Sequence, residues 1–360
     1  MRLAIFLPNW IGDTCMATPA LRAISTLPHV ERMTLFGKPG PLAVLEETRF
    51  CREVIAYKPR SRDESVLSRR GVSRYLRQQK YDTALLFPNS LSTALIAFCG
   101  GVPHRVGFAR GGRSLLLSQA VSTAVSNTSN GPSYSSWKVA PTIDYYLHLA
   151  SQLGADSTNK EMELQASKND LDKAKHLLEQ VGFSWSRPLV LINNSAAAAI
   201  SRLWADTSVQ MLAQMLAKED IQVLMHASPA DRQRVNQLAI DCGEPNVQSM
   251  GIFDDLPLGL SRGLLSLANV VVSTDSGVRH MAVALNRPVV SLFGATSPMA
   301  TRTYNLPESI FQLSLPCQPC GKKVCPLQHQ RCMREISPKA VFQAVLSRLN
   351  NTDHASRPAA

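Results

Sequence analysis

The chain has 360 residues, 45% hydrophobic and 18% charged, enough apolar material for a substantial core, which excludes a disordered or low-complexity protein. That length exceeds what one core usually supports, so two domains are expected. Lys and Arg outnumber Asp and Glu by 38 to 27, a formal charge of +11 that points to an anionic partner.

From the amino terminus, the apolar run Leu3 to Leu7 meets Pro8, Asn9 and Asp13, which reads as a first strand and not as a secretory leader. Further strands are expected at Met33 to Phe36, Val54 to Tyr57, Thr83 to Phe87 and Arg105 to Phe108, with helices between them. Ser126 to Ser136, rich in Ser and Asn, reads as a mobile loop. Thr142 to Leu153 resumes a helical pattern that stops at Gly154.

A polar stretch and a helix near Asp170 to Val181 follow, and Pro188 opens a second set of strands: Leu189 to Asn193, Gln222 to His226, Asn246 to Ser249, Val270 to Ser273 and Val289 to Phe293. A final amphipathic helix precedes a polar tail, residues 350–360, expected to be disordered. Strands alternating with helices predict an α/β fold with two parallel sheets. Such sheets bind ligands at the carboxyl ends of their strands, and two of them side by side would offer a cleft.

No apolar run reaches the ~18 residues of a membrane span, so any membrane contact is expected to be peripheral. Eight cysteines are too few for a disulfide scaffold, and Cys15, Cys51, Cys99 and Cys242 are scattered singly, which favours the cytosol.

Three strand ends bear candidate chemistry. Asn9-Trp10-Ile11-Gly12-Asp13 follows the first strand; Gly12 permits close approach of a ligand, and Asp13 is either a general base or a capping aspartate. Asp275-Ser276-Gly277, with His280 one turn on, opens a helix whose amino terminus suits a phosphate, or is a plain cap with a packed histidine. Thr296 lies in the next such turn, Gly294 to Pro298. Asn193-Asn194-Ser195 closes and follows the first strand of the second half, and Arg202 beyond it could pair with a diphosphate or stand on the surface. There is no Walker-type phosphate loop and no G-x-G-x-x-G after a strand, so kinase, ATPase and dehydrogenase readings lose support.

Cys317, Cys320, Cys325 and Cys332, with His329 among them, have spacing that fits a structural zinc, packed thiols or a redox-labile pair. Between Arg49 and Lys80, ten Lys and Arg stand against three Asp and Glu, Arg69, Arg70 and Arg74 included. Few aromatics are interleaved and no nucleic-acid-binding motif appears, so a phosphorylated lipid at a membrane face is the better partner, with a solvated basic face as the alternative.

Taken in order, Leu7-Pro-Asn-Trp-Ile-Gly-Asp13, Arg105-Val-Gly-Phe108 with Arg113, Asp144-Tyr-Tyr-Leu147, Thr274-Asp-Ser-Gly277 with His280, Phe293-Gly-Ala-Thr-Ser-Pro298 and the cysteine-rich segment ending in Met333 resemble the family 9 glycosyltransferases, the ADP-heptose:lipopolysaccharide heptosyltransferases. The resemblance implies a GT-B architecture of two Rossmann-like domains facing across a cleft. Residues 1–165 would bind the acceptor, 166–187 would be linker and helix, 188–336 would bind the nucleotide sugar, and the helix 337–349 would pack back on the first domain. It further implies an inverting, metal-independent transfer from ADP-heptose to the lipopolysaccharide core by a cytoplasmic enzyme peripheral to the inner membrane.

By the same resemblance Asp13 is the catalytic base. Asn194, Ser195, Arg202, Asp275, Ser276, Gly277, His280 and Thr296 form the donor site. Asn9, Gly12, Arg69, Arg70 and Arg74 are expected on the acceptor side. Arg202 falls where the family usually has a Lys, and Ser195 to Ile200 replaces a Gly-containing loop. Another nucleotide sugar, or a non-catalytic zinc-binding adaptor with a basic face, are the alternatives.

Overall fold

The computed structural model describes residues 1–58, 66–122, 140–195 and 199–352. The expected mobile loop at 126–136, Arg60 and Arg62 of the basic segment, and the tail from 353 lie outside the described residues. The chain divides into two compact units, Met1–Leu164 with Met299–Tyr304, and Gln165–Pro298 with Asn305–Ala360.

The first unit runs β1 (Arg2–Phe6), α1 (Ile11–Met16), α2 (Thr18–Ser25), β2 (Arg32–Gly37), α3 (Pro39–Val44), β3 (Val54–Ala56) and α4 (Arg69–Gln79). It continues through β4 (Thr83–Leu86), α5 (Leu91–Cys99), β5 (His104–Phe108), β6 (Gln119–Val121) and α6 (Thr142–Ser151). All strand pairs are parallel, in the order β3-β2-β1-β4-β5-β6. This is the dinucleotide-fold order, with its topological switch between β1 and β4. Leu3 to Phe6 and Ala84 to Leu86 are wholly buried, as central parallel strands covered on both faces require.

The second unit runs α7 (Lys168–Gln180), β7 (Leu189–Asn193), α8 (Asp206–Lys218), β8 (Gln222–Met225), α9 (Arg232–Cys242), β9 (Val247–Ser249) and α10 (Leu258–Leu267). Then come β10 (Val270–Thr274), α11 (Gly277–Ala284), β11 (Val289–Phe293), β12 (Ser309–Gln312), α12 (Arg331–Arg334) and α13 (Pro338–Thr352). Its order, β12-β11-β10-β7-β8-β9, repeats the first pattern, with the switch between β7 and β10. The runs Leu-Val-Leu-Ile-Asn, Val-Val-Val-Ser-Thr and Val-Val-Ser-Leu-Phe of β7, β10 and β11 are buried throughout.

Within 166–187, read as linker and helix, Ser167 and Asp170 form a reciprocal cap on α7, and the Asp170 carboxylate pairs with buried Arg262 of α10 at 2.6 Å. A Cβ on Gly263 would lie 2.2 Å from the Asp170 carbonyl oxygen, so only glycine lets α10 approach α7 this closely. The last helix, α13, packs on α8 and on β10 and β11, burying Val341, Phe342, Val345 and Leu349. Met299–Tyr304 belongs to the first unit: the Ala300 carbonyl accepts from the Thr142 N–H at 3.0 Å, and the Tyr304 hydroxyl donates to Asp144 at 2.6 Å.

Candidate functional site

In the first unit, the segment after β1 turns directly into α1, so Asp13 sits in the first turn of a helix and not in a preceding loop. The carboxylate is half-buried there, where the helix dipole favours negative charge. Gly12 is buried beneath it, while Asn9 and Trp10 are exposed. Tyr146 of α6 is held well above its ordinary pKa, by burial first and then by the Asp13 charge; Cys15 is raised for the same two reasons. Both therefore stay neutral at physiological pH.

Close by in the same unit, Arg113 is fully buried. It donates to the carbonyls of Phe108 and Pro88 and to Asn89 Oδ1 at 3.0 Å. Burial lowers its pKa to about 10, still high enough to keep the charge at neutral pH. Asn89 in turn donates to the Tyr145 hydroxyl at 2.6 Å, so this cation ties the loop after β5 to α6.

Arg69, Arg70 and Arg74 lie exposed on α4. That helix packs beside α5, with the Ser73 hydroxyl donating to the Ile96 carbonyl at 3.0 Å and Arg77 to the Cys99 carbonyl at 2.6 Å. On α5, Leu91, Leu95 and Phe98 are each about half exposed at helical spacing, giving an apolar stripe beside a basic one.

In the second unit, a polar cluster occupies the β7/β10 switch. Asn193 Nδ2 donates to Ser273 Oγ at 3.0 Å and to Ser276 Oγ at 2.9 Å, stitching the two strand ends together. Ser276 occupies the N-cap position of α11 but makes no side-chain cap, so the first-turn N–H groups of Gly277 and its successors are not taken up by that hydroxyl. Thr274 donates to the Ser195 carbonyl at 3.2 Å.

Asp275 is buried. Arg202 Nη1 lies 3.4 Å from its carboxylate and 3.0 Å from its carbonyl oxygen; Arg279 lies 3.6 Å away on the other side, and His280 Nε2 3.9 Å away. Arg279 is itself bound to buried Glu308 at 2.8 Å, which also accepts from Ser291. Expected in the donor site, the Asp275 carboxylate is committed to this ion network, and it positions Arg202, whose side chain is one-third exposed.

Asn194 also changes role. Its side chain donates to the Trp204 carbonyl at 3.0 Å and accepts from the Trp204 N–H at 2.9 Å, so the amide braces the loop bearing Arg202 and is not presented to a ligand. Its carbonyl accepts from Arg234 at 2.7 Å.

Among the described residues, four buried side-chain atoms have no hydrogen-bond partner: Asn193 Oδ1, His226 Nδ1, His280 Nδ1 and Thr296 Oγ1. They follow the carboxyl ends of β7, β8, β10 and β11, four strands adjacent in one sheet. Each unpaired group costs about 1–3 kcal/mol, a concentration that a polar ligand at this edge would offset. His226 and His280 are both pushed down to about 4, chiefly by burial and in His280 also by Arg279, so both are neutral at physiological pH. Asn193 was legible in the strand-end motif Asn193-Asn194-Ser195 and His226 only as a strand end; the Arg279–Glu308 pair gave no signal, its members being far apart in sequence.

Among the described residues, no three His, Cys, Asp or Glu side chains stand together in an arrangement ready to hold a metal ion. No described helix is long and apolar enough to cross a membrane.

The glycosyltransferase family 9 (heptosyltransferase) model matches residues 69–331. The chain belongs to glycosyltransferase family 9. This family 9 chain is 24% identical over 361 residues to lipopolysaccharide heptosyltransferase 2 of Escherichia coli, covering 95% of this chain and 97% of that protein. It is 21% identical to lipooligosaccharide heptosyltransferase 2 of Campylobacter jejuni, over 98% and 99% of the two chains. The solved structure of the E. coli ADP-heptose lipopolysaccharide heptosyltransferase II superposes with a TM-score of 0.77 at 22% identity, covering 98% of this chain and all of that one. The α/β class of two parallel-sheet units expected from the sequence is thus the fold of this family.

Proposed function

We propose that this protein transfers heptose from ADP-heptose to the inner core of lipopolysaccharide, with inversion at the anomeric carbon. Membership of family 9 and the near full-length similarity to heptosyltransferases 2 support the reaction class. The observation that carries the donor assignment is the cluster of partnerless polar atoms at the ends of β7, β8, β10 and β11, beside Arg202 and the amino terminus of α11.

In this reading the diphosphate lies at the α11 amino terminus, where N–H groups and the helix dipole favour anions. Arg202 stabilises the charge that develops on the departing ADP. Asn193, His280 and Thr296 offer a carbonyl oxygen, a ring nitrogen and a hydroxyl to the nucleotide sugar; Ser195, Ser276 and Gly277 line its approach. Asp13 takes the proton from the acceptor hydroxyl as its oxygen attacks the anomeric carbon and ADP leaves. Positive charge comes from Arg202 and the helix terminus, so the proposed step routes through no metal ion. Arg69, Arg70 and Arg74, with Asn9 and Gly12, serve a phosphorylated acceptor.

We further infer that the enzyme works at the cytoplasmic face of the inner membrane. The exposed stripe Leu91, Leu95 and Phe98 beside Arg70, Arg74 and Arg77 supports this, since apolar side chains flanked by arginines suit an anionic lipid surface.

A donor panel tests the reading. Purified protein is given a heptose-free core lipid and, separately, ADP-heptose, GDP-mannose and UDP-N-acetylglucosamine. ADP-heptose alone should yield a heptose-extended lipid by mass spectrometry with equimolar ADP. Faster turnover of another donor would overturn the donor assignment, and no transfer from any of them, with no affinity for ADP, would favour the adaptor alternative.

A further inference from the structure

Of the four partnerless buried atoms at the strand ends, His226 Nδ1 is the one for which the proposed transfer has no use. His226 directly follows β8 and is 5% exposed. Its Nε2 stands 2.9 Å from the Ser261 hydroxyl on α10, a contact that fixes the ring and leaves Nδ1 without a partner among the described residues. A buried ring nitrogen left unpaired is costly. Either tautomer equips it for a ligand: with Nε2 donating to Ser261, Nδ1 accepts, and with Ser261 donating, Nδ1 donates.

In the sheet, β8 stands two strands from β10, with β7 between them. At the usual strand spacing His226 is therefore ~10 Å along the edge from the strand that feeds α11, the reach of a nucleoside from its diphosphate. Thr296 follows β11, on the other flank of β10.

The two flanks differ in chemistry. Around Thr296, Gly294 to Pro298 is a turn of small side chains, three of them without a charge and two with hydroxyls, which suits a polyhydroxylated sugar. On the other flank Met225 pairs with Ser249, so the chain leaving β9 runs beside His226. It carries Ile252, half exposed, and Phe253, partly buried, apolar surface of the kind that covers a planar base. This turn is held in place. The Ser249 hydroxyl accepts from the Gly251 N–H at 2.8 Å, and the Phe253 carbonyl accepts from Arg232 at 3.0 Å. A Cβ on Gly251 would collide with the Arg232 carbonyl oxygen, so glycine is required for the turn to close on α9.

We propose that His226, braced by Ser261, reads the nucleoside of the donor: Nδ1 makes one hydrogen bond to the ribose or to the edge of the base, and Ile252 and Phe253 lie against the base. This role presupposes the nucleotide donor of the proposed function. It makes His226 a residue of donor specificity and not of the chemical step, since the diphosphate separates the nucleoside from the anomeric carbon.

Calorimetry on the full chain with ADP and with inorganic pyrophosphate tests this. Asn places a polar atom where Nδ1 stands and Gln where Nε2 stands, so His226→Asn keeps the reading atom and His226→Gln keeps the bond to Ser261. ADP affinity should fall about tenfold in His226→Gln, the scale of one hydrogen bond in a buried site, and less in His226→Asn. Pyrophosphate, which lacks the nucleoside, should bind all three proteins alike, which also shows that the variants fold. Two analogues then locate the contact. A penalty for 2′-deoxy-ADP that wild-type protein shows and His226→Gln lacks puts Nδ1 on the ribose; the same pattern with inosine diphosphate puts it on the amine edge of the base. Equal ADP affinity in all three proteins, a loss shared by pyrophosphate, or weaker binding by His226→Asn than by His226→Gln would overturn the proposal and make the histidine a brace for α10. No heptose or acceptor is involved. Absent heptose transfer with the expected ADP pattern intact would sink the reaction alone, whereas ADP bound equally by all three proteins would sink only the role of His226.

Discussion

Arg202 leans on Asp275 twice, through the carboxylate at 3.4 Å and through the main-chain oxygen at 3.0 Å, while Arg279 holds the same carboxylate from within the core at 3.6 Å. One buried acid thus sets the direction of one partly exposed cation. Arg202→Lys should keep the fold but weaken ADP binding, because an ammonium lacks the planar guanidinium fork suited to a diphosphate. Calorimetry with ADP should show affinity falling in the order Arg, Lys, Ala. Equal affinities across the three would remove Arg202 from the donor site.

Asp275→Ala should act differently. It leaves Arg279 beside Glu308 but strips the second anion from a buried cation, and breaking such a pair costs roughly 3–5 kcal/mol. A large drop in the denaturation midpoint is therefore expected, against a small one for Arg202→Ala.

Thr296→Val separates binding from folding. The Thr296 hydroxyl is buried without a partner, so replacing it by a methyl of similar shape should leave stability unchanged or slightly raised. ADP-heptose binding should weaken if the hydroxyl meets the donor. A stable variant with unaltered binding would show that this turn does not touch the ligand.

Stability should fall on mild acidification. His226 and His280 sit at about 4 in the fold, against an ordinary value near 6.5. The unfolded chain therefore takes up protons first as pH drops below 6.5, and each histidine removes of order 1 kcal/mol per pH unit until about pH 4. Denaturant titrations at pH 7, 6 and 5 should show this slope, and His226→Gln should reduce it.

Membrane contact is testable on α4 and α5. Wild-type protein should sediment with vesicles containing anionic lipid and less with neutral ones. Leu95→Asp with Phe98→Asp should abolish sedimentation while leaving ADP binding intact, since both side chains are about half exposed. Reversing Arg70 and Arg74 should remove the preference for anionic lipid and its salt dependence. Unchanged sedimentation in both variants would make the stripe an ordinary solvated face.

How much of this the sequence disclosed depends on how locally each feature is encoded. The central strands announce themselves as apolar runs because parallel strands are covered on both faces. The edge strands β6 and β12 escaped notice: Gln119–Val121 is short, and Ser309–Gln312 alternates in burial, so neither forms an apolar run. The helix bearing Asp13 was hidden behind Pro8 and Gly12, which read as a turn, although the position of Asp13 after the first strand was plain. At the donor site, the small polar loops were readable from their place after strands. The commitments of Asp275 and Asn194 were not, because their partners Arg202 and Trp204 meet them only through the fold.

The most direct test of the account compares wild-type and Asp13→Asn protein in one mass-spectrometric assay of heptose transfer from ADP-heptose to truncated core lipid, with ADP affinity measured alongside. Wild-type protein should extend the lipid by one heptose. The variant should bind ADP as before and transfer about a hundredfold more slowly or worse, the scale expected on losing a general base. Full transfer by the variant would contradict the role given to Asp13, and no transfer by wild-type protein that binds ADP and the lipid would contradict the proposed reaction.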